Sequence, residues 1–334
     1  TGFIGSHFWP LLRAAGVTPV LLDLHPAPWE VPSDQFIQGD IRDRDTLRRA
    51  MEGCDRVLHL AAAHHDFGIE RDTYFDVNER GTSLITEVMD EQGVRDICFY
   101  STVAVYGDAP TPHEETTVPV PTTPYGESKL AGERVLDTWT AKGEDRRALV
   151  IRPTVTFGID NYANMYSLIR QVQSGKYIQF GPGANIKSLS YVENIVEATM
   201  YLWERDWTGF DVFNYIDKPD LTSRQIAATV YESLGKKAPK ATFPLWLGRL
   251  ACIPFDLVIA LTGKNLPVSS ARLIKLTQTE TKFEADKIQA TGYEYRVPLR
   301  EGIDRMVKWY LETGQHREAH WRQPPADVQV FETA

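Results

Sequence analysis

Cysteine is scarce: the 334 residues hold three, Cys54, Cys98 and Cys252, far apart in the chain. So few exclude a disulfide framework, and their spacing fits no structural metal site. Reduced thiols fit a cytoplasmic location, which is the expectation. Positive charge is also in short supply. Lys and Arg total 36 against 45 Asp and Glu, a net charge of -9. An acidic chain is not expected to bind nucleic acid, although a few local basic residues can still hold a small phosphorylated ligand. No run of 18 uncharged apolar residues occurs. The nearest, "FPLWLGRLACIPFDLVIALTG" from Phe243 to Gly263, is interrupted by Arg249, Asp256 and two prolines. A transmembrane segment is not expected there. Packed helices or a lid are, with peripheral membrane contact as the lesser reading. The chain does not open with a basic stretch followed by an apolar one, and it has no internal repeat or low-complexity tract.

What is present is an alternation. "VTPVLLDL" (Val17 to Leu24), "DRVLHLAAA" (Asp55 to Ala63), "RDICFYST" (Arg95 to Thr102) and "RALVIRPT" (Arg147 to Thr154) read as buried strands. Helical patterns at Arg44 to Gly53, Tyr74 to Gly93 and Pro124 to Gly143 separate them, and "DVFNYID" reads as a later strand. Short strands that alternate with helices imply parallel pairing through crossover helices. The fold class expected is α/β, a doubly wound parallel Rossmann sheet with a smaller mixed C-terminal substrate lobe. The first domain is placed at 1–154 and the substrate lobe at 155–313, with some of its elements returning to the first. A polar tail follows at 314–334.

The chemistry concentrates at strand ends. "TGFIGSH" opens the chain with Gly2 and Gly5 three apart, running straight into a helical pattern. A glycine turn entering a helix lets backbone N–H groups approach a pyrophosphate. Asp23 ends the next strand about 20 residues on, where a carboxylate accepts from the adenosine ribose hydroxyls and repels a 2′-phosphate, favouring NAD over NADP. Alone, it reads equally as an exposed strand-end aspartate. Asp40 in "GDIRD" ends another strand, within reach of an adenine amino group, and Ala61 to Ala63 are small enough for close cofactor approach. Tyr125 and Lys129 stand four apart on one helix face, and Thr102 ends a strand. An ammonium beside a phenol favours the phenolate. Bringing a tyrosine from about 10 toward about 7 takes roughly 4 kcal/mol. His64 and His65 follow a strand end near the expected cleft and are either sugar contacts or loop histidines, whereas His59 reads as a core histidine.

Together these residues resemble the extended short-chain dehydrogenase/reductases, and within them the NAD-dependent epimerase/dehydratase family acting on nucleotide sugars. "TGFIGSH", "HLAAA", "NERGT", "YSTVAVYGD", "YGESK", "IRPTVTFG" and "KSLSYVENIVEA" come in the family's order. The resemblance runs from Thr1 to about Leu311. It implies Thr102, Tyr125 and Lys129 as the catalytic set and NAD as cofactor. NAD contacts are implied at Gly2, Phe3, Ile4, Gly5, Asp23 and Asp40. Others are Ile41, Leu60, Ala61, Ala62, Asn78 and Pro153, with Tyr125 and Lys129, and Asn78 is implied as a helix residue that steadies the cofactor-side strands. Substrate contacts are implied at Thr102, Ala104, Tyr125, Asn164, Phe180 and Lys187. Asn164 reads equally as helix surface and Lys187 also as a loop lysine. No metal is implied. The family pattern also expects a further glycine two residues before Thr1 and a strand before that, so a chain starting at Thr1 is expected to hold NAD weakly.

Relatives that dehydrate sugars resemble this chain but carry Asp–Glu after the threonine. Here Val103 and Ala104 stand there, and neither moves a proton. Val103 also replaces the cysteine of related 3,5-epimerases. The function expected is 4-epimerisation of a nucleotide sugar, a UDP-sugar, by transient oxidation at C4, in bacterial polysaccharide biosynthesis. The alternatives are an NAD(P)-dependent reductase of a 4-keto sugar nucleotide, a 3β-hydroxysteroid-like alcohol dehydrogenase, and a non-catalytic NAD-binding protein. The resemblance implies a homodimer through the helices that begin at Tyr74 and Tyr125.

Overall fold

The computed structural model describes residues 1–64, 69–109, 111–239, 241–262, 269–277 and 280–317. His65 and the tail beyond residue 317 lie outside the described residues.

The central sheet has four parallel strands in the order β3 (Arg56–His59), β4 (Asp96–Tyr100), β5 (Arg147–Pro153) and β9 (Gly209–Tyr215). A separate parallel pair, β1 (Leu21–Asp23) with β2 (Phe36–Gln38), carries Asp23 at its end. Alternation along β4 and β5 divides the core in two. Ile97, Phe99, Ala148 and Val150 face one side, with Leu47 of α2 (Arg44–Met51), Val88 and Met89 of α4 (Gly81–Gln92) and Leu136 of α5 (Pro124–Thr140). Cys98, Tyr100, Leu149 and Ile151 face the other, with Phe8 of α1 (Phe3–Ala14) and Val192, Ile195 and Val196 of α7 (Val192–Trp203). Both faces are covered, which is why the strands read as continuous apolar runs. The three cysteines are free thiols.

Helix boundaries follow local chemistry. Asp43 caps α2 by accepting from the N–H groups of Asp45 and Thr46. The α5 helix begins with Pro124 at its first position, and the Thr123 hydroxyl accepts from Gly126 N–H. Thr222 and Gln225 form a capping box on α8 (Ser223–Ser233). The helix expected from Tyr74 to Gly93 is not uniform. It comprises α3 (Arg71–Phe75), a wider π turn at Asp76–Arg80, and α4. Such turns add a residue to the helix and are often found at functional positions.

The second lobe is built around β6 (Val155–Phe157), β8 (Leu189–Tyr191), α6 (Asn164–Gln173), α8 and α12 (Leu299–Glu312). A two-stranded antiparallel pair, β7 (Ile186–Lys187) with β10 (Leu221–Thr222), adjoins it. Asp217 anchors the start of α7. This fully buried carboxylate accepts from Tyr191 N–H at 2.5 Å, Tyr215 OH at 2.8 Å and Asn194 Nδ2 at 3.1 Å. Burial lifts its pKa to about 6 despite these bonds. The segment from Phe243 holds α9 (Leu245–Thr262) and α10 (Ser270–Thr277). Two helices that pack on each other form there, as expected, but only Gly248 and Cys252 of α9 are buried.

Two glycines let α5 lie against its neighbours. A Cβ on Gly126 would come 2.6 Å from the Ala104 carbonyl oxygen, and one on Gly132 would come 2.6 Å from that of Asn78. Both obstacles are backbone, which cannot rotate aside. Gly132→Val is expected to cost about 1–3 kcal/mol, more than any helix-propensity gain offsets. Urea unfolding midpoints check this, and an unchanged midpoint would refute the close approach.

Candidate active site

The site forms where α5 starts, beside the end of β4. Thr102 follows β4 and caps the short turn Val103–Val105, its hydroxyl accepting from Ala104 N–H at 3.1 Å. The contact of Gly126 with Ala104 seats the first turn of α5, and so Tyr125, against this segment. The half-buried Tyr125 ring packs near Tyr74, with centroids 6.4 Å apart, and against the cluster of Ala63 and Val77.

Lys129 lies one turn deeper and is 1% exposed. Its Nζ stands 3.8 Å from the Phe99 ring centroid and has no hydrogen-bond partner among the described residues. Burial lowers its pKa to about 7, and the Glu133 carboxylate opposes that shift only in part. The His59 ring also packs on Phe99, with centroids 5.1 Å apart. Burial, and secondarily the Lys129 charge, brings His59 down to about 3. His59 is a core histidine whose Nε2 pairs with the Thr82 hydroxyl at 3.1 Å.

Asn78, in the π turn and fully buried, bridges the loop after β3 to α5. Its side chain accepts from Ala63 N–H at 2.9 Å and donates to the Ala63 carbonyl and the Ser128 hydroxyl, both at 2.9 Å. Gly2 is the N-cap of α1, followed by Phe3, Ile4 and Gly5 in the first turn. Asp23 faces the same place, accepting from the Thr1 hydroxyl at 2.6 Å and from His25 N–H at 2.9 Å. Leu60 reaches Gly5, close enough that a Cβ there would touch it at 3.5 Å. Ala61 and Ala62 are half-buried after β3, Pro153 ends β5, and Ile41 packs against Gly81. Asp40 is already engaged: Arg42 Nη2 donates to it at 2.7 Å and Nη1 to Asp76 at 2.8 Å.

The remaining residues expected to contact substrate are spread over the second lobe. Asn164 is exposed at the first turn of α6. Phe180 pairs with Phe243, ring centroids 6.2 Å apart. Lys187 lies in β7 opposite Leu221. His64 is exposed, with Nδ1 3.2 Å from the Ala62 carbonyl.

Residues that the sequence reading missed support the site from below. Glu133 and Arg152 form a buried bidentate pair, Nη2 to Oε2 at 2.6 Å and Nε to Oε1 at 2.9 Å. The Ser101 hydroxyl, next to Thr102, donates to Glu133, and Arg152 Nη1 donates to Tyr106 OH at 2.9 Å. One signal was available: Glu133 is four residues after Lys129, on the same helix face. Arg42 carried no signal, because its partners Asp40 and Asp76 meet only in the fold.

These features fit a bound dinucleotide. A buried ammonium without an acceptor suits ribose hydroxyls, and a carboxylate beside a glycine turn suits an unphosphorylated adenosine ribose. Fold and site together define an NAD-dependent enzyme of the Rossmann class. The sequence pattern of the NAD dependent epimerase/dehydratase family matches residues 1–214, and the chain belongs to that family. It is 41% identical over 278 residues to the N-acetyl-alpha-D-glucosaminyl-diphospho-ditrans,octacis-undecaprenol 4-epimerase of Escherichia coli O157:H7, covering 81% of this chain and 82% of that one. It is 31% identical over 260 residues to the UDP-glucose 4-epimerase of Lacticaseibacillus casei, covering 71% and 72%. The fold matches the Thermus thermophilus UDP-glucose 4-epimerase complex with NAD at a TM-score of 0.69 and 22% identity, over 93% of this chain and 97% of that one.

The Lys129 pKa sets a testable pH dependence. The unfolded chain holds this proton up to about 10.4 and the NAD-free folded chain only to about 7. Between those values the unfolded state binds more protons, so this group makes stability rise with pH. Lys129→Met is expected to flatten that rise and to stabilise the NAD-free chain at pH 7 by on the order of 1–3 kcal/mol. Thermal midpoints across pH check it; a variant with the wild-type slope would refute the reading.

Proposed function

We propose that the chain is a 4-epimerase of a sugar held through a diphosphate, with the residues around Tyr125 doing the proton chemistry. The observation that carries this is the local set: the first turn of α5, which bears Tyr125, seated at Gly126 against Ala104, with Lys129 buried one turn below. Beside it, Val103 and Ala104 supply no second acid or base. That set serves one proton and one hydride, not a dehydration.

NAD, when bound, supplies the hydride acceptor and donor for C4. Lys129 holds the ribose hydroxyls and its charge favours the Tyr125 phenolate. Tyr125 takes the proton of the sugar 4-hydroxyl, with Thr102 bonded to the same oxygen, and returns it to O4 after the ketone has turned over. Asn78 and Gly132 keep α5 at the depth that sets this geometry. Gly2 to Gly5 hold the pyrophosphate at the α1 N-terminus, and Asp23 takes the adenosine ribose. Lys187 and Asn164 hold the substrate diphosphate, so the sugar is free to turn.

The expected substrate was a UDP-sugar. Identity of 41% to an undecaprenol-diphosphate-linked enzyme, against 31% to a UDP-sugar enzyme, favours a polyprenyl diphosphate as the carrier here. The test is incubation with undecaprenyl-diphosphate-linked N-acetylglucosamine and, separately, UDP-N-acetylglucosamine and UDP-glucose, followed by chromatography of the released sugars. Conversion at C4 without net NADH consumption is expected, fastest on the lipid-linked sugar. NADH consumed in step with product would show a reductase instead. Tyr125→Phe is expected to lower turnover by roughly 10²–10⁴-fold while sparing NAD binding.

A further inference from the structure

The α9 helix is built inside out for a protein in water. At about 100° per residue, Trp246, Leu250, Ile253, Leu257 and Leu261 share one face. All are exposed, from 54% at Leu250 to 77% at Leu261. The opposite face is the one that packs, and there Leu245 and Ile259 stand with the small or polar Gly248, Cys252 and Asp256. Gly248 sits so close to Leu273 of α10 and to Phe180 that a Cβ would come within 2.8 and 2.9 Å of them. Cys252 is buried on that side, and Asp256 accepts from Ser270 N–H at 3.0 Å. A surface helix normally turns its large apolar side chains inward. Here they form a contiguous outward stripe, of a kind that marks an interaction surface.

Charge identifies the partner. Residues 236–277 contain seven Lys and Arg against a single acid, Asp256, in a chain whose balance is -9. A basic segment that bears an exposed apolar stripe with Trp246 and Phe243 beside it matches an anionic lipid surface. The helix lies on such a surface rather than crossing it. Its 18 residues are long and apolar enough to cross a bilayer, but its inner face is fastened to Phe180 and α10, which holds it along the surface. The stripe adjoins the expected substrate side, since Phe180 pairs with Phe243 just before α9.

We propose that the outward face of α9 docks in the headgroup–acyl boundary of an anionic bilayer. That places the Phe180 side of the site at the surface where a polyprenyl-anchored sugar is presented. The substrate part of this statement rests on the proposed function; the docking does not.

The test uses the full chain and vesicles of phosphatidylcholine, alone or with phosphatidylglycerol. Wild type is expected to sediment with the anionic vesicles and to be released by high salt. The double variant Leu250→Asp, Leu257→Asp is expected to lose at least about tenfold in partitioning at an unchanged thermal midpoint. Wild type left in the supernatant with both vesicle types would overturn the proposal, as would a variant that still binds. So would a dimer, formed without lipid, that the variant splits, because a second copy would then cover the face. Binding is read without substrate. A chain that binds vesicles but converts no sugar overturns the functional reading alone, and one that converts sugar but ignores vesicles overturns only this one.

Discussion

The pair between Glu133 and Arg152 is the interaction on which the candidate site depends. Both side chains are almost wholly buried, and a buried charge left alone costs about 3–5 kcal/mol. Neither partner can therefore move without the other. Arg152 comes from β5, Glu133 from α5, and Ser101 joins them from the end of β4. Tyr106 extends the network, accepting from Arg152 and donating to Asn214 of β9 at 2.8 Å. Three adjacent strands and α5 are thus tied at one point, next to Thr102.

The same carboxylate acts on the chemistry through its field. It opposes the desolvation of Lys129, whose ammonium would otherwise be still less favoured. The site therefore keeps a cation buried, without an acceptor and titrating near neutrality. Such an arrangement is stable only as preparation for a polar partner. It fits a cofactor that arrives with hydroxyls at that depth.

A second constraint is distance rather than charge. The α5 helix approaches two carbonyl oxygens more closely than any side chain permits, at Gly126 and Gly132. Between these glycines lie Ser128, held by Asn78, and Lys129. The π turn around Asn78 is the other half of that contact, because it carries the amide that bridges Ala63 and α5. None of this was legible locally. "YGESKLAGE" reads as a helix with glycines that weaken it, and "DVNER" reads as ordinary helix. The reason for each appears only when the two are brought together.

Much of the architecture was written in the residues themselves. Short apolar runs placed β3, β4, β5 and β9, and the helical pattern from Pro124 placed the start of α5. The spacing of Tyr125 and Lys129, with Thr102 at a strand end, could be read from the chain because those signals are local and periodic, and the fold brings the start of α5 beside the end of β4. Contacts across long sequence separations were decided by the tertiary structure alone: Arg42 with Asp76, Glu133 with Arg152, and Asn78 with Ala63. The direction in which α9 turns its apolar face belongs with them. The α9 sequence is apolar on most of its circumference, so only its packing shows which side meets the protein, and here the stripe from Trp246 to Leu261 was left outside.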